Sequence, residues 1–157
     1  ITLFFQCYKN TIKKKWSYEY LNINFFKKLL YSELKNKLLL ISAYDKNGFL
    51  GCSLHFIGEK TLYGRYWGSV RNEPYLHFEL CYYQAIEYAI KKKLSRVEAG
   101  AQGEHKISRG YMPSLTYSNH WIKNDLIRNG VKKFVDYEKK KILETIKILR
   151  KHNPFND

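Results

Sequence analysis

Residues 37–67 constrain the fold more than any other stretch of this chain. Lys37 to Tyr44 is an apolar run of strand length, followed by Asp45-Lys46-Asn47-Gly48, a hairpin turn of the Asn-Gly kind. Phe49 to Ile57 reads as the return strand, with Cys52, Leu54 and Phe56 alternating against Ser53, His55 and Ile57. Gly58-Glu59-Lys60 turns again and Thr61 to Trp67 makes a third strand. Two short turns between three strands predict an antiparallel meander.

Helical spacing flanks the meander. Ile1 to Thr11 reads as the tail of one helix, and Asn24 is expected to cap a second, with Phe25, Phe26, Leu29, Leu30 and Leu34 following at helical intervals. Gly68 to Pro74 is a loop. Tyr75 to Lys93 is then the clearest amphipathic helix, with Phe78, Cys81, Tyr82, Ala85, Ile86 and Ala89 as its apolar stripe and Lys91 to Lys93 at the negative end of its dipole. Ser95 to Ala99 is expected as a short strand, Leu115 to Ile122 as another, and Asp125 to Lys151 as a closing helix. This order predicts an α+β domain: a mainly antiparallel mixed sheet flanked by helices.

Composition narrows the class. A chain of 157 residues suits one domain, and its hydrophobic content of 45% excludes wholesale disorder. No apolar run approaches the roughly 18 residues that a membrane span requires. Cys7, Cys52 and Cys81 have no framework spacing, which predicts reduced thiols and a cytoplasmic setting. Cys52 and His55 are half of a zinc-ligand pattern, but on a strand they point to opposite faces, so no metal is expected. The net charge of +14 would attract RNA, an anionic membrane or a phosphorylated substrate, and is also what a Lys- and Asn-rich composition leaves on any neutral surface.

Chemistry concentrates in one place. From Val97 to Trp121 the chain reads VEAGAQGEHKISRGYMPSLTYSNHW, crowding Glu98, Gln102, Glu104, His105, Lys106, Arg109 and His120 among three glycines. Gly100 and Gly103 permit positive φ and close backbone approach. His120 is expected to be structural, and His55 and His152 are set aside.

The wording GRYWGS (Gly64 to Ser69), LHFELCYYQAIEYAI (Leu76 to Ile90) and RVEAGAQGEHKISRGYMPSLTYSNHWI (Arg96 to Ile122) resembles the Fem-like predicted N-acyltransferases of the peptidoglycan biosynthesis/recognition group, within the GNAT-type acyltransferase superfamily. The resemblance implies a GNAT-like fold over residues 1–157, forming the carboxy-terminal part of a longer two-domain protein. It also implies transfer of an acyl or aminoacyl group onto an amine, in peptidoglycan or cell-envelope synthesis. No tightly bound cofactor is expected; the donor is a co-substrate, acyl-CoA or aminoacyl-tRNA. The partners implied are a small-molecule or peptidoglycan-precursor amine, tRNA and an amino-terminal acyltransferase-like domain.

Acyl transfer to an amine needs a base, donors for the developing oxyanion and an acid for the leaving group. Glu98, Glu104 and His105 are the catalytic candidates. Arg65, Glu79, Tyr83, Gln102, Lys106 and Arg109 are the candidate substrate-binding residues. Gly68-Ser69-Val70-Arg71-Asn72-Glu73-Pro74 holds one glycine, an acid and a proline, a poor cradle for a pyrophosphate, and this favours a donor other than acetyl-CoA. The competing reading is a non-catalytic domain that binds peptidoglycan precursor or RNA.

Overall fold

The computed structural model describes residues 1–100 and 103–155. It divides into two compact units, Ile1–Ala101 and Gln102–Asp157.

The first unit opens with helices α1 (Thr2–Lys14) and α2 (Ile23–Tyr31) and a 3-10 turn (Glu33–Lys37). The cap of α2 lies two residues before the expected Asn24: the Asn22 side chain accepts from the Phe25 N–H at 3.0 Å. The physical reason lies in the neighbours. A cap at Asn22 makes Leu21 and Phe26 the flanking apolar pair of a hydrophobic staple, and both lie in the same apolar cluster. A cap at Asn24 would have offered Ile23 and Lys28 instead.

The meander forms as the turns predict, with β1 (Leu38–Asp45), β2 (Gly48–Ile57) and β3 (Thr61–Ser69) paired antiparallel. Gly48 takes φ +112° in the first turn. β4 (Arg96–Glu98) adds to β3 in parallel, so the sheet order is β1-β2-β3-β4. This four-stranded mixed sheet flanked by helices is the α+β architecture expected of a GNAT-like domain.

Helices cover both faces of the sheet. Cys52 and Leu54 of β2 meet Phe4, Cys7, Tyr8 and Phe26 in the core under α1 and α2. α1 crosses β3 so closely that a Cβ at Gly68 would collide with the Cys7 carbonyl. On the opposite face, Ser53 and His55 meet the segment after β3. That segment is not one regular helix. A short turn α3 (Leu76–Phe78) leads into a π-type turn (Glu79–Tyr83) and then α4 (Gln84–Lys91). Its buried residues are Leu76, Leu80, Tyr82, Ala85 and Ala89.

The second unit starts with a 3-10 turn (Glu104–Arg109) between two left-handed glycines, Gly103 at φ +109° and Gly110 at φ +82°. A Cβ at Gly110 would press on the Phe155 ring at 2.6 Å. The expected strand from Leu115 to Ile122 is not formed: among the described residues no strand follows Glu98. Alternation of Leu115, Tyr117 and Trp121 gives those residues strand propensity, but a strand exists only when an edge pairs with it. α5 (Asp125–Arg150) runs unbroken through Gly130, its Asn124 cap accepting from the Ile127 N–H at 3.1 Å.

Candidate functional site

β3 and β4 stay together for only three residue pairs: Thr61 with Arg96, Leu62 with Val97, and Tyr63 with Glu98. β4 ends at Glu98 while β3 runs on to Ser69, so Glu98 stands at the fork where the ladder stops. A bulge lies just past it, because His55 pairs with Gly64 and Leu54 with Tyr66, which leaves Arg65 as the extra residue. The exposed Arg65 lays its guanidinium over the Tyr66 ring, 4.5 Å from the centroid.

Further along the same edge, the carbonyls of Trp67 and Ser69 accept from Thr11 Oγ1 at 2.8 Å and Asn10 Nδ2 at 3.0 Å. Those bonds show that Trp67 and Ser69 turn their main-chain polar groups away from β2. In a strand the N–H of a residue points to the same side as its carbonyl, so both N–H groups face this edge too.

Glu98 is half-buried, with Arg96 Nη1 at 3.8 Å from its carboxylate. At that distance the pair orients the carboxylate only loosely. Glu79 and Tyr83, expected one helical turn apart, instead mark the two ends of the π-type turn. Glu79 accepts from Gln84 Nε2 at 2.8 Å, and Tyr83 is exposed.

Under that turn lies a polar group that sequence reasoning set aside. His55 is buried, and so is Ser53. Ser53 Oγ donates to the Leu80 carbonyl at 2.8 Å, so it accepts from His55 Nε2, also at 2.8 Å. The relay His55, Ser53, Leu80 therefore fixes the imidazole as the Nε2–H tautomer. Burial pushes the His55 pKa down to about 4, and the ring is neutral at physiological pH. Its Nδ1 has no hydrogen-bond partner among the described residues and faces Gly64: a Cβ there would be 3.6 Å away. The available signal was the alternation Ser53, His55 on a strand whose other face is apolar.

The loop after β3 carries its own information. Its guanidinium, Arg71, donates to Asp45 at 2.7 Å and holds that carboxyl below the usual range. Gly68 and Ser69 belong to β3, so Val70 to Pro74 contains no glycine. Tyr75, at φ +63°, precedes a helical turn of only three residues. None of this resembles a glycine-rich phosphate cradle.

The remaining candidates fall in the second unit. His105 is exposed, its carbonyl accepting from Arg109 Nη1 at 2.7 Å and Ser108 Oγ at 2.9 Å. Lys106 and Arg109 are half-buried in the same 3-10 turn. Glu104 begins that turn, and Gln102 lies outside the described residues. His120 is exposed, with Nε2 2.9 Å from Ser118 Oγ, a local contact.

The family model for FemAB-like proteins, described as peptidoglycan biosynthesis/recognition, matches residues 1–157. No curated protein matches the chain. Among the described residues, no helix is long and apolar enough to cross a membrane.

Proposed function

This chain belongs to the FemAB-like family of peptidoglycan biosynthesis/recognition, and from that premise we propose that it is an N-acyltransferase domain acting on an amine of a peptidoglycan precursor. The observation that carries this reading is the fork at Tyr63 and Glu98, where a carboxylate stands beside a strand edge that turns main-chain N–H groups outward.

Glu98 takes the proton from the attacking amine. The amine nitrogen bonds to the donor carbonyl carbon, whose oxygen becomes an oxyanion held by the outward-facing N–H of Trp67. Collapse breaks the bond to the leaving group, which departs with the proton that Glu98 has taken. Glu104 and His105 are further candidate proton carriers, each to be tested by its own variant. Arg65 is the candidate anion contact on the first unit. Glu79, Tyr83, Gln102, Lys106 and Arg109 are candidate substrate contacts.

Aminoacyl-tRNA is the favoured donor. The Arg71–Asp45 ion pair and the glycine-free loop before Tyr75 argue against a CoA pyrophosphate site. An amino-terminal acyltransferase-like domain is the proposed partner within a longer protein.

The deciding experiment offers aminoacyl-tRNA and acetyl-CoA separately to the longer protein with a precursor amine. Transfer from aminoacyl-tRNA, lost in Glu98→Gln, is the expected result. Transfer from acetyl-CoA alone overturns the donor assignment. Precursor binding without transfer from either donor replaces the enzyme reading with the non-catalytic one.

A further inference from the structure

α1 ends in a Schellman motif. The Trp16 N–H donates to the Lys13 carbonyl at 3.2 Å and the Ser17 N–H to the Ile12 carbonyl at 3.2 Å. This puts Trp16 just past the C-cap at φ +52°, the left-handed region where glycine is favoured and a bulky residue is strained. Packing gives nothing back, because Trp16 is 97% exposed. Tyr18 is 91% exposed, while Tyr20 is tied back to the fold, its hydroxyl 2.8 Å from that of Tyr66. Lys13, Lys14 and Lys15, all exposed, immediately precede them, against a single carboxylate at Glu19.

Folding alone would select glycine at position 16, and water alone would select a polar side chain. An indole, a phenol and three ammonium groups, all exposed between Lys13 and Tyr18, suit a surface that is anionic outside and apolar a few ångströms deeper. An anionic bilayer has that profile: tryptophan and tyrosine rings settle at headgroup level while lysines meet the lipid phosphates. Single-stranded nucleic acid is held differently, with aromatic rings lining a charged groove. A ring with nearly all of its surface in water lines no groove.

We propose that the corner from Lys13 to Tyr18 docks the protein on an anionic membrane surface, with Trp16 entering the headgroup boundary and Lys13, Lys14 and Lys15 supplying the attraction. This inference is independent of the acyl-transfer reading.

The test is flotation with vesicles of phosphatidylglycerol and phosphatidylcholine, compared with phosphatidylcholine alone. The protein is expected to float with the first and not the second. Trp16→Gly should weaken vesicle binding on the order of tenfold while raising the melting temperature, since glycine relieves the strained cap. The triple variant Lys13→Gln, Lys14→Gln, Lys15→Gln should lose about 100-fold in partitioning. In a Trp67→Phe, Trp121→Phe background, which leaves Trp16 as the one tryptophan, lipids brominated on the acyl chain should quench its fluorescence. Equal vesicle binding by Trp16→Gly and the parent overturns the proposal, as does a lowered melting temperature, which would make the indole a structural residue. Quenching by single-stranded RNA without vesicle binding also overturns it and assigns the corner to nucleic acid.

Discussion

Tyr63 and Glu98 are the last partners of the parallel ladder between β3 and β4. Immediately beyond them, a Cβ on Gly64 would stand 3.2 Å from the Glu98 carbonyl oxygen and 3.6 Å from His55 Nδ1. The main chain of the candidate base and the buried imidazole thus converge on one glycine. The fork is held by packing as well as by hydrogen bonds.

Glu98→Gln and His105→Ala separate chemistry from stability. Each is expected to lower the acyl-transfer rate by about 10²- to 10⁴-fold, with little change in melting temperature. Single-turnover transfer and a thermal melt on the same samples check this. Full activity in the double variant would remove both residues from the mechanism.

Ser53→Ala removes the one hydroxyl that both donates to the Leu80 carbonyl and accepts from the His55 Nε2–H. The expected cost is about 1–3 kcal/mol, read from urea denaturation. A double-mutant cycle with His55→Phe should show coupling, because both residues belong to one relay.

Stability should fall as pH drops from about 6.5 toward 4. His55 is neutral in the fold because burial depresses its pKa to about 4, whereas the unfolded chain protonates at the ordinary value. Stabilisation is therefore fully present above pH 6.5 and lost on the way down to the folded pKa, by about 3 kcal/mol in all. Asp45, held low by Arg71, contributes its loss only below its ordinary carboxylate range, in a separate window. Denaturation curves at several pH values, with and without His55→Asn, separate the two.

Gly68→Ala should be among the most damaging single-methyl changes in the chain. The new carbon would meet the Cys7 carbonyl and lie 2.7 Å from Thr11 Oγ1, and backbone of α1 cannot rotate aside as a side chain can. A loss of about 3 kcal/mol or more is expected, measured by the midpoint of chemical denaturation.

Legibility followed how local the determining physics is. The meander was readable because an Asn-Gly turn and alternating side chains act within a few residues. The cap of α2 was missed by two residues because Asn22 and Asn24 are equally good caps, and the choice between them rests on where Leu21 packs. The strand expected at Leu115 to Ile122 needed a partner edge, which no local pattern supplies. At the site, Glu98 was correctly expected at a strand end. The relay through His55 was not, since only the fold brings Leu80 over Ser53.

Leu76, Leu80, Ala85 and Ala89 form one buried row spaced four, five and four residues apart, with Tyr82 buried inside the step of five. A regular α-helix carries steps of three or four, so the step of five falls where the wide turn at Glu79–Tyr83 absorbs one extra residue. The helix is thus two phased pieces joined by a single-residue adjustment. Removing one residue between Leu80 and Ala85 would close the wide turn into a regular α-helix with both pieces still in phase on the sheet, whereas inserting a further residue would rotate the downstream piece by about 100° relative to the upstream one. Either Leu76 and Leu80 or Ala85 and Ala89 would then leave the sheet. Length at this point is therefore constrained in one direction: the segment tolerates the loss of its extra residue far better than the gain of another.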